Sequence, residues 1–138
     1  MLKGVDVISQ TARYALRILG LLAANPERWA LGKDIAAETG IPANYLSKIL
    51  NQLRKRGLVQ SQKGWGGGFL VERRTLGTPI GEVVEVFDGK ADNGRCVFEL
   101  QSCDAEHPCP LHHWWDRVRR EYQAMLTTVT IGDLGQKG

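Results

Sequence analysis

All three cysteines of the chain, all three histidines and two of its four tryptophans fall between Cys96 and Trp115. Six residues separate Cys96 from Cys103, five separate Cys103 from Cys109, and His112 follows three positions later. Thiolate and imidazole are transition-metal ligands, so this spacing predicts one metal centre. His107 and His113 compete with His112 for the imidazole role. An odd number of cysteines argues against a closed disulfide framework, and clustered thiols favour metal or redox work.

Such a segment needs elements to hold it, and 138 residues suffice for one core, or one core with an appended element. The 43% hydrophobic and 24% charged content is ordinary for a globular protein. No apolar run reaches the roughly 18–20 residues of a membrane span. The first residues lack a secretory pattern, so a cytoplasmic protein is expected. The net charge of +3 is split: residues 1–75 carry 12 Lys/Arg against 5 Asp/Glu, net +7, and residues 76–138 carry 6 against 10, net −4. A basic N-terminal half points to a polyanionic partner, most simply nucleic acid. Charge alone would also fit a solvated face, so position must decide.

From about Val7 to Ala24, apolar residues at three- and four-residue steps predict an amphipathic helix, stopped by Asn25-Pro26. Trp29-Ala30-Leu31 reads as a short extended piece. A second helix spans about Lys33 to Thr39, with Ile35 and Ala36 inward, and Gly40 supplies a turn. Pro42 opens a third helix with the stripe Tyr45, Leu46, Ile49, Leu50 and Leu53, ended by Gly57. Two short helices across a glycine turn predict a helix-turn-helix, the second helix being the reader. Asn44, Tyr45, Ser47, Lys48, Asn51 and Gln52 cover its first and middle turns, polar and basic side chains of the kind that meet bases and phosphates.

Strands at Leu58–Ser61 and Gly68–Val71 then form a hairpin, the wing of a winged helix. Its glycines permit sharp turning and close approach to a groove. Lys63 and Gly64 sit at the tip, and Trp65 contacts DNA, contacts a partner subunit or folds back on its own domain. Arg73-Arg74 follow as further phosphate contacts. Thr78 caps, and Pro79 starts, a helix to about Phe87, with Ile80, Val83, Val84 and Phe87 buried and Asp88-Gly89 at its end. The last helix, from Pro110, carries the seam Leu111, Trp115, Val118, Tyr122, Met125 and Val129 over roughly 28 Å. A second copy of the chain is the expected cover for that seam. Packing on the first helix is the alternative.

The whole pattern resembles the Rrf-type transcriptional regulators, with IscR-like and NsrR-like branches. The resemblance rests on Arg13-Tyr14-Ala15-Leu16, Ile41-Pro42 with Tyr45-Leu46, and Leu53-Arg54-Lys55-Arg56-Gly57-Leu58-Val59. It continues through the Gly64-Trp65-Gly66-Gly67-Gly68 wing, Ile80-Gly81-Glu82-Val83, the three cysteines and Thr130-Ile131-Gly132-Asp133-Leu134. It implies a homodimer of winged helices on operator DNA, with an iron–sulfur cluster in each subunit governing affinity or site choice. The IscR-like ligand pattern for a [2Fe–2S] cluster falls on Cys96, Cys103, Cys109 and His112. The NsrR-like [4Fe–4S] scheme uses a first-helix Asp where this chain has Arg13, which disfavours it. Two departures stand out. The first cysteine gap is one residue longer than in the IscR-like pattern, and Ser47 replaces the Glu that helps set sequence choice there. Some members of the family regulate without any cluster.

The expectation is therefore a mostly α protein with a small β-hairpin wing: a winged helix-turn-helix over residues 1–75, then residues 76–138 with a connecting helix, a ligand loop at 94–111 and a dimerisation helix at 110–131. The DNA-binding residues are Asn44, Tyr45, Ser47, Lys48, Gln52, Lys63, Gly64 and Trp65. Cys109 would cap the last helix, whose positive end favours thiolate, and His112 would reach back to the same centre, with His107 next in order. Histidine ligation raises a cluster's potential and leaves a ligand that protonation can remove. A structural zinc uses the same four residues, and a cluster-carrying protein-interaction module is a further alternative. The regulatory reading is a repressor-type sensor of cluster status or of redox, oxidative or nitrosative signals. No paired carboxylates or nucleophile–base set point to an enzyme.

Overall fold

The first helix, α1 (Gln10–Ala23), begins where Ser9 Oγ accepts the Ala12 N–H at 3.1 Å. That side chain satisfies one of the orphan donors of a helix start, which is why α1 starts at Gln10 rather than at Val7. The computed structural model describes residues 8–64, 66–89 and 110–136. Within them α1 buries Ala12, Ala15, Ile18, Leu19, Leu22 and Ala23 on one face. Helix α2 (Gly32–Thr39) ends at Gly40, which takes a φ of 74°. Helix α3 (Ala43–Lys55) follows with Pro42 as its cap residue rather than its first helical residue.

The end of α3 shows why its sequence stops there. Gly57, at φ 74°, donates to Arg54 O at 3.0 Å, and Leu58 donates to Leu53 O at 2.9 Å. This pair of bonds is a Schellman cap. It turns Leu58 and Val59 into the core, where both are buried. They therefore serve packing, and the first strand, β1 (Gln60–Gln62), begins two residues later than expected. It pairs antiparallel with β2 (Gly68–Leu70), Ser61 opposite Phe69. The Trp29–Leu31 piece joins the far side of β2, since Ala30 and Phe69 exchange two backbone hydrogen bonds of 2.8 Å.

A 3-10 helix (Arg73–Gly77) leads to α4 (Ile80–Asp88). Thr78 does not cap α4. The Ile80 N–H donates to Val129 O at 2.8 Å and the Ile131 N–H to Thr78 O at 2.9 Å, so a backbone pair of Pro79 with Thr130 starts the helix. Helix α5 (His112–Thr128) ends three residues short of the expected Ile131, because Val129 is extended. A last short helix, α6 (Ile131–Leu134), is closed by a capping box between Thr130 and Asp133.

One main core holds the module together, drawing on α1, α2, α3, the hairpin, Val83 of α4 and Ile131 of α6. A smaller cluster of Ile80, Val84 and Leu126 joins α4 to α5. Close backbone approach explains two glycines. A Cβ on Gly81 would lie 2.9 Å from Leu126 O, and one on Gly135 would lie 2.7 Å from the Ala23 carbonyl carbon. Among the described residues no helix is long and apolar enough to cross a membrane.

Candidate nucleic-acid interface and metal-binding segment

Helix α3 divides cleanly into two faces. Leu46, Ile49, Leu50 and Leu53 are buried, each worth roughly 1.5–3 kcal/mol of burial. Asn44, Ser47, Lys48, Asn51 and Gln52 are exposed on the other side. Tyr45 is 52% exposed, which removes it from the expected core stripe and leaves it on the outward face. Its ring meets Tyr14 of α1 edge-on, 6.5 Å between centroids. Arg17 stands over Tyr14 at 5.8 Å and also donates to the Thr39 carbonyl at the end of α2. Contacts outside the core thus join α3 to α1 through Tyr45, and α1 to the end of α2 through Arg17. Asn51 Oδ1 accepts from Arg54 at 2.7 Å, and Arg54 and Lys55 complement the negative end of the helix.

In the hairpin, Lys63 and Gly64 are exposed at the tip, while Trp65 lies outside the described residues. Two glycines of the run are required by the wing itself. A Cβ on Gly67 would come within 2.2 Å of Gln62 O, and one on Gly68 within 2.3 Å of Ala30 O. Arg73 and Arg74 are exposed. Arg74 pairs with Glu72 at 3.0 Å, a surface pair of small energetic weight. The Arg73 N–H donates to Glu27 Oε2 at 2.8 Å.

Of the expected metal ligands, Cys96, Cys103, Cys109 and the rival His107 lie outside the described residues. His112 is the first residue of α5, and the cap position belongs to Leu111, not Cys109: the Trp115 N–H donates to Leu111 O at 2.8 Å. His112 is half-buried and His113 exposed. Their rings touch edge-on at 5.5 Å with planes 75° apart, so the two imidazoles address different directions. Among the described residues no three His, Cys, Asp or Glu side chains converge as a metal site.

The expected seam of α5 is split over two faces. Trp115 and Tyr122 are half-buried and Leu126 buried on the side toward α4, whereas Leu111, Val118 and Met125 are exposed together with Trp114. Arg117 lies over the Trp114 ring at 5.7 Å. Buried on the inward side, Trp115 Nε1 has no hydrogen-bond acceptor among the described residues. Leaving such a donor unmatched costs roughly 1–3 kcal/mol.

Two further residues join the start of α1 to the end of α4. Asp88, the last residue of α4, accepts the Ser9 N–H at 2.9 Å and the Ser9 hydroxyl. Asp88 and burial together act on Tyr122 of α5, burial being the larger cause, and raise its phenol above the ordinary 10.0. The sequence signals were present but mute about pairing. Ser9 has the position of an N-cap, and Asp88 reads only as a helix end.

Comparison with known proteins places these features in context. A family model described as Rrf2, iron-dependent transcriptional regulator, matches residues 8–137. A protein of Aquifex aeolicus (strain VF5) named as an HTH-type transcriptional regulator is 34% identical over 130 residues, covering 93% of this chain and 90% of the relative. The HTH-type transcriptional regulator IscR of Klebsiella pneumoniae (strain 342) is 30% identical over 128 residues, covering 92% and 78%. Among solved structures, CymR, titled the global cysteine regulator of B. subtilis, superposes with a TM-score of 0.74 at 27% identity, covering 93% of this chain and 95% of that one. The resemblance read from the motifs and the winged-helix fold are both met by these matches, and the relatives are regulators rather than enzymes.

Proposed function

This chain belongs to the Rrf2 family of transcriptional regulators, and from that premise we propose an operator-binding homodimer whose cysteine segment holds a [2Fe–2S] cluster that governs DNA binding. The observation that carries the DNA half is the division of α3: four aliphatic side chains anchor it, and its outward face offers Asn44, Tyr45, Ser47, Lys48, Asn51 and Gln52 over its first three turns. Lys63, Gly64 and Trp65 of the wing complete the contact set. These side chains match the donors and acceptors of base edges and phosphates in a major groove. The +7 charge of residues 1–75 supplies attraction that salt weakens.

The dimer reading is supported by the exposed apolar residues Leu111, Trp114, Val118 and Met125 of α5, spaced at three, four and seven along one outward face. A second copy covers them by two-fold symmetry. This seam replaces the one expected from sequence, half of which is turned toward α4. The division into a reading part, residues 1–75, and a sensing part, residues 76–138, is one of roles: the main core includes Val83 and Ile131 alongside the reading helices.

For the cluster, the ligand set is Cys96, Cys103, Cys109 and His112. His112 is favoured over His113 because it shares the inward face of α5 with Trp115 and Tyr122, and a donor set of three thiols and one imidazole suits iron–sulfur ligation. One turn after His112 in α5, the buried Nε1–H of Trp115 has no acceptor among the described residues, which would suit an anionic group. When bound, such a group supplies a reversible one-electron change and sensitivity to oxidants. This chain's residues link that event to DNA: Asp88 closes on Ser9 at the head of α1, whose other face packs on α3. A zinc site with the same ligands, or no metal at all, is the competing reading, favoured by the likeness to CymR, whose title speaks of cysteine regulation.

The test is operator binding by cluster-loaded and cluster-free protein at one salt concentration, with iron, sulfide and zinc analysis of anaerobically purified material. Tighter binding or altered sequence preference in one form is the expected result. Equal affinity and equal preference overturn the sensing role, and zinc without sulfide overturns the cluster.

A further inference from the structure

We propose that Arg17 of α1 is the positioning residue of the reading helix. Through Tyr14 it holds Tyr45 and the first turn of α3, and so sets how sharply one DNA sequence is told from another, without itself touching DNA. This rests on the DNA-reading role of α3 proposed above. The N-terminal residues of a recognition helix are the ones that meet base edges, and in α3 they are the ones the core does not hold. Pro42, Ala43, Asn44 and Tyr45 are all exposed, and burial begins only at Leu46. Among the described residues no side chain caps the helix. What this turn does have is the ring contact of Tyr45 with α1.

Tyr14 and Arg17 are neighbours on one face of α1, three residues apart. Tyr14 packs against the main core and meets Tyr45 at 6.5 Å with planes 64° apart, the edge-to-face arrangement that aromatic pairs favour. The Arg17 guanidinium covers the same Tyr14 ring at 5.8 Å, within cation–π range, and donates to the Thr39 carbonyl. Thr39 ends α2, which has no basic side chain in its last turn, so Arg17 supplies from α1 the cation that a helix end favours. The Thr39 hydroxyl donates to Ile35 O at 2.7 Å and accepts the Ile41 N–H at 3.3 Å. The residue Arg17 grips is therefore the one that shapes the turn into α3. A planar guanidinium can offer its face to a ring and an edge N–H to a carbonyl together, which the point charge of a lysine does not match. Arg17 thus braces that turn on both sides, at Thr39 before it and, through Tyr14, at Tyr45 after it.

The experiment uses the full chain and two duplexes: one that wild-type protein selects from a randomised pool, and a scrambled version of it. Wild type, Arg17→Gln, Arg17→Lys and Tyr14→Leu are titrated with both over a range of salt. The same proteins carrying 3-fluorotyrosine at position 45 are followed by fluorine NMR without DNA. All three variants are expected to bind the scrambled duplex with wild-type affinity and salt dependence. Their preference for the selected duplex should fall about fivefold to tenfold, the lower end of the cost of a mismatched base pair. The position-45 fluorine signal should shift in each, and Lys should not rescue Gln. Full preference or an unmoved fluorine signal in both Arg17 variants overturns the role of Arg17 alone. So does a salt dependence flattened by about 1.8 in Arg17→Gln and restored in Arg17→Lys, which shows a phosphate contact from each copy instead. Loss of the folded protein in both Arg17 variants assigns Arg17 to stability and overturns it as well. A wild-type protein that selects no sequence overturns the reading role of α3 and this inference together.

Discussion

Helices α3 and α5 are both amphipathic, yet they are held in opposite ways. In α3, thirteen residues long, four aliphatic side chains are buried and the outward face is polar. In α5, seventeen residues long, only Leu126 is buried, while Trp114 is 68% and Val118 50% exposed. The reading helix is complete within one chain. The other helix has an inner side that rests on α4 and an outer apolar side that one chain leaves uncovered. Burial is thus concentrated in α3, the helix proposed to read DNA, and uncovered apolar surface in α5, the helix proposed to pair.

Breaking the α3 side should have the largest effect. Leu53→Ala, at a fully buried position, is expected to cost about 2–5 kcal/mol of stability, read by chemical denaturation, and to abolish operator binding with it. Breaking the α5 side should separate assembly from folding. Val118→Glu should leave helical content and monomer stability near wild type, shift sedimentation to the monomer, and weaken operator binding by at least about tenfold, or 1.4 kcal/mol. A folded dimer in that variant would show that the outward seam is not the pairing surface. Lys48→Ala sharpens the contrast from the DNA side. It should weaken binding to all sequences alike and flatten the logarithmic salt dependence by about 1.8, one phosphate contact being lost from each of the two copies in a dimer, with no change in sedimentation.

The smallest effect belongs to the inner side of α5. Burial first, and the Asp88 carboxylate second, raise the Tyr122 phenol above 10.0. The unfolded chain therefore ionises before the folded one. This contribution is intact below pH 10.0 and is lost as pH rises from there through the higher folded value. In Tyr122→Phe the alkaline fall in stability should begin at higher pH; an identical alkaline profile would show that Tyr122 does not contribute to it.

What the sequence made legible follows the same division. Periodicity located α1 through α4 to within three residues, because each has a one-sided stripe of buried residues, that of α4 being shared between the main core and the cluster with Leu126. It misjudged Tyr45, whose aromatic ring reads as apolar but rests edge-on against Tyr14 at the surface. In α5 it drew a single seam across Trp115, Val118 and Tyr122, where the structure assigns these residues to two faces. A stripe records that residues are apolar and not which neighbour covers them, and α5 rests on α4 on one side while its other apolar side is exposed. Thr78 looked like a helix cap, but a backbone pair between distant segments took that role, which no local pattern encodes. The link of Ser9 to Asp88, 79 residues apart, was invisible for the same reason. His112 was singled out by its distance from Cys109, and its half-buried placement supports that choice without testing the cysteines.

The paired backbone of Pro79 and Thr130 has a further consequence, for how such a chain can change length. Ile80 and Val129 leave and return through this one stem, while Val83 in the main core and Asp88 on Ser9 hold α4 to the reading helices as well. Adding one residue to a loop of about twenty raises its closure cost by only about 0.04 kcal/mol. Under the proposed function, the spacing of the ligands can therefore vary at little cost in closure while α3 keeps its place.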